Sequence, residues 1–264
     1  MNLFERDYNI LLPDEEEQLE YLRNAEVVGT IGEAAIRRSR FRDYPKAARH
    51  FIHLFPNNYL DIVELKEENR LSTQLAAFER LLDADDASER QILNFIKNDR
   101  AYFVIGSILK TYYPFGHHEA YLFPEFQLGN SFKVDYLLVG KNSGGWHFVF
   151  VELEAPRGKI TLTDGTLGEA FRKGIAQTKE WDTWLDARYP SIIETFEKAK
   201  RSEVTLSSEF GQLDRSRIHF VVVAGRRKDF NEKTYRICRK EPQLLIHYDN
   251  LVDASRQLIG ESTY

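Results

Sequence analysis

The sequence predicts an α/β layered domain, and three stretches carry that prediction. Leu71, Leu75, Phe78, Leu81 and Leu82 recur at the spacing of one helix face. Residues 132–139 and 146–154 are strand-like runs joined by Gly140-Lys141-Asn142-Ser143-Gly144-Gly145, a strong hairpin signal. Residues 218–224, Ile-His-Phe-Val-Val-Val-Ala, form a continuous apolar, β-branched run, as expected of a central strand covered on both faces.

Composition sets the outer bounds. A chain of 264 residues, 42% hydrophobic and 29% charged, has the make-up of a globular protein and room for one large domain plus an appendage. Its start, Met1-Asn2-Leu3-Phe4-Glu5-Arg6-Asp7, has no basic region leading into a long apolar stretch. Nothing later approaches the roughly 20 apolar residues of a membrane span, so the expectation is a cytoplasmic protein without membrane partners. The one cysteine, Cys238, rules out an intrachain disulfide and a cysteine-based zinc cluster.

In chain order, residues 12–54 read as two helical stretches broken near Gly29 and Gly32. Phe55-Pro56-Asn57-Asn58 is a turn signal, and the charged run Lys66-Glu67-Glu68-Asn69-Arg70 suits a linker. The boundary is placed there, giving residues 1–70 as a small, mostly helical N-terminal segment and 71–264 as the main domain. After the helix from Leu71, Ser88-Glu89-Arg90-Gln91 is a capping box, with Ile92, Phe95 and Ile96 as the apolar face behind it. Residues 119–127 form a first strand, followed by the hairpin. The helical period returns through Leu167, Phe171, Ile175, Thr178, Trp181 and Leu185. Past the central strand come a basic helix, a short strand at residues 244–247 and a last helix over about residues 250–259.

Chemistry concentrates in the hairpin. Side chains alternate along a strand, so Glu152 and Glu154 share a face with Phe148 and Phe150. If Gly140 and Gly145 close the hairpin, Asp135 lies opposite Phe150 and diagonal to Glu152; a register shifted by two pairs Asp135 with Glu152 directly. Either way three carboxylates share one patch, with neighbouring Cβ atoms roughly 5 to 8 Å apart. Like charges beside buried aromatics raise each other's proton affinity, and a divalent cation relieves that cost. One or two carboxylates, retained waters and an open side for phosphate describe a Mg²⁺ site. The plainer reading is that Glu152 and Glu154 mark the strand's exit into solvent. On the following helix Glu169, Lys173, Gln177 and Glu180 make a polar stripe, from which Gln177 and Lys173 reach toward the sheet.

Asp135, then Glu152-Leu153-Glu154 on the next strand, then a helix bearing Gln177 and Trp181, resembles the PD-(D/E)XK nuclease superfamily. More specifically, the chain resembles the Shedu family of bacterial anti-phage defence nucleases over about residues 71–264. The resemblance rests on Phe78-Glu79-Arg80-Leu81-Leu82, the helix around Gln91 and Phe95, Val134-Asp135-Tyr136-Leu137-Leu138, Val151-Glu152-Leu153-Glu154-Ala155-Pro156, Ile175-Ala176-Gln177 and the closing residues 245–252. It implies a restriction-endonuclease-like core, a mixed central sheet flanked by helices. Asp135 and Glu152 would bind Mg²⁺ or Mn²⁺, Gln177 would position substrate or water, and Glu89 is a possible further ligand. It also implies DNA as substrate, homo-oligomerisation, and a regulatory or sensing role for residues 1–70. The family pattern ends in lysine where this chain has Glu154. A carboxylate there acts differently, by accepting a proton from water or by joining the metal shell, and Lys173 is a candidate migrated lysine.

Asp61-Ile62-Val63-Glu64-Leu65-Lys66 holds the motif's letters, but its acids are too close in sequence to sit on adjacent strands and would face opposite sides of one. It reads as a surface segment leading into the linker. No phosphate loop, nucleophile elbow or zinc-protease helix is present. His117 and His118 are adjacent and read as loop residues. A net charge of −5 gives no global attraction to polyanions, but basic runs occur at residues 37–49 and 226–240. Such runs are either solvated faces or nucleic-acid contacts, and Arg226, Arg227 and Lys228 are the candidates for the latter. The competing functional readings are a catalytically inactive member that binds nucleic acid or a partner, and a structural oligomerisation subunit.

Overall fold

The computed structural model describes residues 2–31 and 34–264. The elements run α1 (Pro13–Ala25), β1 (Val27–Ile31), β2 (Ala34–Arg37), α2 (Lys46–Phe51), α3 (Glu68–Asp83), α4 (Glu89–Asn98) and α5 (Tyr102–Thr111). Then come β3 (Glu119–Leu128), β4 (Phe132–Asn142), β5 (Gly145–Leu153), α6 (Glu169–Arg188) and α7 (Ile193–Ala199). The chain closes with β6 (Ile218–Val223), α8 (Glu232–Cys238), β7 (Leu244–Ile246) and α9 (Tyr248–Leu258).

A five-stranded mixed sheet, in the order β3-β4-β5-β6-β7, organises the molecule. Its first three strands are antiparallel and need only tight turns. β5, β6 and β7 are parallel, so the chain must cross the sheet between them, through α6 and α7 and then through α8.

The pleat sorts the core into layers. Val149, Val151, Leu153, Val221 and Val223 pack with Leu75, Phe78 and Leu82 of α3, Ile92 and Ile96 of α4, and Leu251 of α9. On the other face Leu137, Val139, Phe148 and Phe150 meet Trp181, Trp184 and Leu185 of α6 and Phe196 of α7. Val222 meets Phe171 and Ile175 of α6. β6 is thus covered on both sides, which is why its sequence is a continuous apolar run.

The capping box at Ser88 forms: its hydroxyl accepts the Gln91 N–H at 3.4 Å and its own N–H donates to Gln91 Oε1 at 2.9 Å. The sequence carries no amphipathic signal for α5, whose residues from Tyr102 to Leu109 are all buried. A helix apolar on every side carries no 3.6-residue period to detect.

Three expectations need correction. Residues 12–54 do contain α1 and α2, but between them the chain forms an antiparallel hairpin, β1 with β2. Gly29 lies inside β1, and Gly32 falls outside the described residues. The charged run at 66–70 is not a linker: Glu68 opens α3, and a 3₁₀ turn from Glu64 to Lys66 leads straight into it. The segment 61–66 is not surface either, since Asp61 is 2% exposed and Leu65 fully buried. Residues before 71 are knitted to the sheet: the Leu60 N–H donates to the Ala120 carbonyl at 2.9 Å, and Leu3 sits in the same core as α3 and α5.

Candidate active site

The hairpin register brings the acids together. Asn142 pairs with Gly145 and Tyr136 with Val151, so the next step along the ladder sets Asp135 beside Glu152. This is the register shifted by two from the one in which the turn glycines pair, because Asn142 rather than Gly140 meets Gly145, so the turn is two residues shorter on the β4 side. Asp135 Oδ2 accepts the Leu153 N–H at 2.8 Å, fastening the carboxylate to the end of β5. On its other side the β3–β4 ladder skips one step, where Glu125, with φ of 52°, stands opposite Asp135. A non-glycine residue in that region is costly, and such residues gather at functional sites.

Glu152 and Glu154 do not emerge into solvent; they are 3% and 2% exposed. Glu152 Oε2 and Glu154 Oε1 are buried without a hydrogen-bond partner. A buried polar atom left unpaired costs about 1–3 kcal/mol, and more when it is charged. The backbone of Glu154 is firmly placed: its N–H donates to the Val223 carbonyl at 2.8 Å, and its carbonyl accepts the hydroxyl of fully buried Tyr248 at 2.7 Å.

α6 supplies the cation. Lys173 Nζ donates to Glu154 Oε2 at 3.0 Å and lies 3.6 Å from Glu89 Oε2, at the first turn of α4. The next residue, Gly174, makes this approach possible. A Cβ there would stand 2.5 Å from Val222 Cγ1 and 3.2 Å from Glu154 Cγ, so only glycine lets the helix come this close. An isolated glycine within a helical period is a sequence signal for such packing. The role of the Tyr248 hydroxyl, by contrast, has no local signature.

The acids respond to their surroundings. Burial drives the Asp135 carboxyl up to about 7 against the pull of the Leu153 N–H, and the charges of Glu89 and Glu154 add to the rise. Burial, with Asp135 and Glu154 close by, takes Glu152 to about 9. Glu154 is also raised, because burial outweighs the hydrogen bond and charge of Lys173. For Lys173 burial works against the ammonium, but the bond to Glu154 prevails and its pKa rises. Carboxyls whose proton affinity is raised by burial and by one another are groups that a counter-charge relieves.

Among the described residues no three His, Cys, Asp or Glu side chains are placed to hold a metal ion between them. Mg²⁺ does not require three: it commonly takes one or two carboxylates and completes its shell with water. Asp135 and the unpartnered Glu152 oxygen fit that demand.

The structure therefore brings Asp135, Glu152, Glu154, Glu89 and Lys173 into one neighbourhood. Gln177 lies one turn past Lys173 on α6, half-buried, and among the described residues no hydrogen bond joins it to the acids. Arg226 and Arg227 are both engaged by acids of the same chain, Arg226 largely buried and Arg227 exposed. Arg226 bonds Asp249 at 2.9 Å, Asp83 at 2.9 Å and the Leu82 carbonyl at 2.7 Å, and Arg227 pairs with Asp253. Lys228 remains exposed. In the basic run at 37–49, Arg49 is buried against Asp61 and Lys46 pairs with Glu64. His117 and His118 lie in an exposed bend, as expected.

A family model described as Shedu protein SduA, C-terminal, matches residues 86–252, a span that takes in every member of the carboxylate cluster and Lys173. Neither curated proteins nor solved structures yield a match. No helix among the described residues is long and apolar enough to cross a membrane.

Proposed function

The chain belongs to the Shedu family, and on that footing we propose that it is a metal-dependent DNA endonuclease acting in anti-phage defence, with a restriction-endonuclease-like core. The observation that carries the reading is the set of buried carboxylates with unpartnered oxygens at the end of β5, faced by a lysine.

Asp135 and Glu152 would hold Mg²⁺ or Mn²⁺. When bound, the metal would lower the pKa of a water and offset charge developing on phosphodiester oxygens. The protein's own groups divide the remaining work. Lys173 returns to the site the positive charge that the family pattern places on the strand, and it tethers Glu154 through Oε2. Glu154 Oε1, free of partners and raised in proton affinity, is the atom to take a proton from an attacking water. The Tyr248 hydroxyl keeps that strand end from shifting. Gln177 is assigned to positioning substrate, Glu89 to supporting Lys173, and Lys228 to the DNA backbone. In this reading the chain works as a homo-oligomer, with residues 1–70 as its regulatory or sensing segment.

One observation favours the silent alternative, in which the same fold binds nucleic acid or a partner without cutting it. Lys173 is already shared between two carboxylates, Glu154 and Glu89, so its charge is partly neutralised.

Plasmid or linear DNA incubated with Mg²⁺ or Mn²⁺ separates the two readings. Cleavage by the wild type that falls at least about a hundredfold in Asp135→Ala and Glu152→Ala is the expected result. Cleavage persisting in both variants would sink the site. Salt-sensitive binding without cleavage in either metal would favour the silent member.

A further inference from the structure

We propose that the cavity between the N-terminal segment and helices α3 and α5 binds a small anionic ligand with a flat ring, the chemistry of a nucleoside monophosphate. The inference stands apart from the nuclease reading, because none of the carboxylates at the end of β5 takes part in it.

The cavity encloses about 290 Å³ and draws its walls from both parts of the chain, Phe4, Lys46 and Tyr59 on one side and Arg100, Tyr102 and Tyr264 on the other. Its volume is at the small end of ligand pockets. Four of those six residues carry an aromatic ring, and Phe4 stands edge-on to Tyr102 at 6.3 Å. A flat ligand gains most from such walls.

The charges do not cancel evenly. The acids lining the cavity each have a cation at hand: Asp61 is held by Arg49 at 2.7 Å, Glu64 by Lys46, and Glu67 by Arg70 at 2.5 Å. Arg100 is the exception on the cationic side. Its ion partner, Glu5, is 3.9 Å away and almost wholly exposed, and the half-exposed Arg100 guanidinium makes no hydrogen bond among the described residues. A guanidinium with open N–H donors at the mouth of an aromatic cavity selects an anion, and phosphate matches its fork.

The left-handed φ of 52° at Arg100 belongs to the cap that ends α4, where the Ala101 N–H donates to the Ile96 carbonyl at 3.0 Å, and the residue lines the cavity from that cap. Tyr264 is 5% exposed and lines the cavity together with Asp61, Glu64 and Tyr59, and among the described residues its hydroxyl has no hydrogen-bond partner. That hydroxyl is a ready partner for a ring nitrogen or a ribose oxygen.

The test uses the full chain, with binding read by calorimetry and by thermal shift. The probes are the four ribonucleoside 5′-monophosphates, with the matching nucleosides and inorganic phosphate as partial ligands. At least one monophosphate is expected to bind with Kd below about 1 mM, about tenfold or more tighter than either partial ligand. Arg100→Gly removes the guanidinium while tolerating φ of 52°, and should weaken binding about tenfold. Tyr264→Phe keeps the ring and should weaken it about threefold to tenfold. The proposal is overturned if no monophosphate binds better than phosphate alone, or if Arg100→Gly binds as the wild type does.

Discussion

Asp61 and Glu152 are both buried, 2% and 3% exposed, yet their surroundings are opposite in kind. Asp61 meets Arg49 through three bonds, from Nε at 2.9 and 3.2 Å and from Nη2 at 2.7 Å, and accepts the Val63 N–H at 3.0 Å. Glu152 has acids for neighbours, Asp135 and Glu154, and one oxygen with no partner. The first arrangement completes itself. The second leaves like charges facing one another, and in the proposed reading a bound cation supplies the missing charge. The comparison also explains why matching letters mislead: Asp61-Ile62-Val63-Glu64-Leu65-Lys66 spells the nuclease motif and builds a strut, while the acids at the end of β5 depart from it and form the buried carboxylate cluster.

The sharpest way to break the contrast is to remove one partner from each region. Arg49→Ala leaves the Asp61 carboxylate buried and uncompensated, which should cost about 3–5 kcal/mol and lower the thermal midpoint by roughly 6–20 °C. Glu152→Gln removes an acid that nothing compensates, so the metal-free protein should hold or gain stability while cleavage is lost. Calorimetric scans of both variants decide the matter. If Glu152→Gln destabilises as much as Arg49→Ala, the two regions do not differ in the way described.

A smaller effect is expected from pH. The folded chain holds protons on Asp135 up to about 7 and on Glu152 up to about 9, whereas their ordinary values are 3.8 and 4.5. Over that window the folded state binds more protons than the unfolded one, so stability falls as pH rises. The contribution is fully present below the ordinary values and lost through about pH 7 to 9. Without metal, the midpoint should drop from about pH 5 to about pH 9 more steeply in the wild type than in an Asp135→Asn, Glu152→Gln double variant. Added Mg²⁺ should recover stability most at the alkaline end, where the ligating carboxylates are free of protons. Equal slopes in the two proteins would contradict this.

Lys173→Met should change stability least, within about 1 kcal/mol, since the lysine is half exposed. Its effect belongs to chemistry: cleavage should fall about tenfold to a hundredfold, and the pH at half-maximal rate should move upward as Glu154 loses its cation. An unchanged rate would leave Lys173 a surface ion pair and return attention to Gln177.

The fold was legible where local patterning is strong. The α3 face, the Ser88 cap and the β4–β5 hairpin each carry a period or a turn signature set by nearest neighbours in sequence, and β6 is marked by its short, β-branched, largely apolar run. α5 was not legible, because a helix buried on all sides lacks a polar face to mark its period. The β1–β2 hairpin was missed because its strands are short and sit among helix-forming residues. The basic run at 226–228 shows the limit of counting charges, since Asp249, Asp83 and Asp253 come from elsewhere in the chain to meet two of its three cations.

For the site, sequence alone determined which acids lie on which strands and which helix follows them, because hairpin geometry and the strand's period of two are local rules. What only the tertiary structure decided was how those charges are met. The Lys173 bond to Glu154, the close crossing of α6 at Gly174 and the pairing of Arg49 with Asp61 depend on segments remote in sequence converging at van der Waals distance. A carboxylate's environment is set by such encounters, and they arise from packing of the whole core rather than from any stretch of letters.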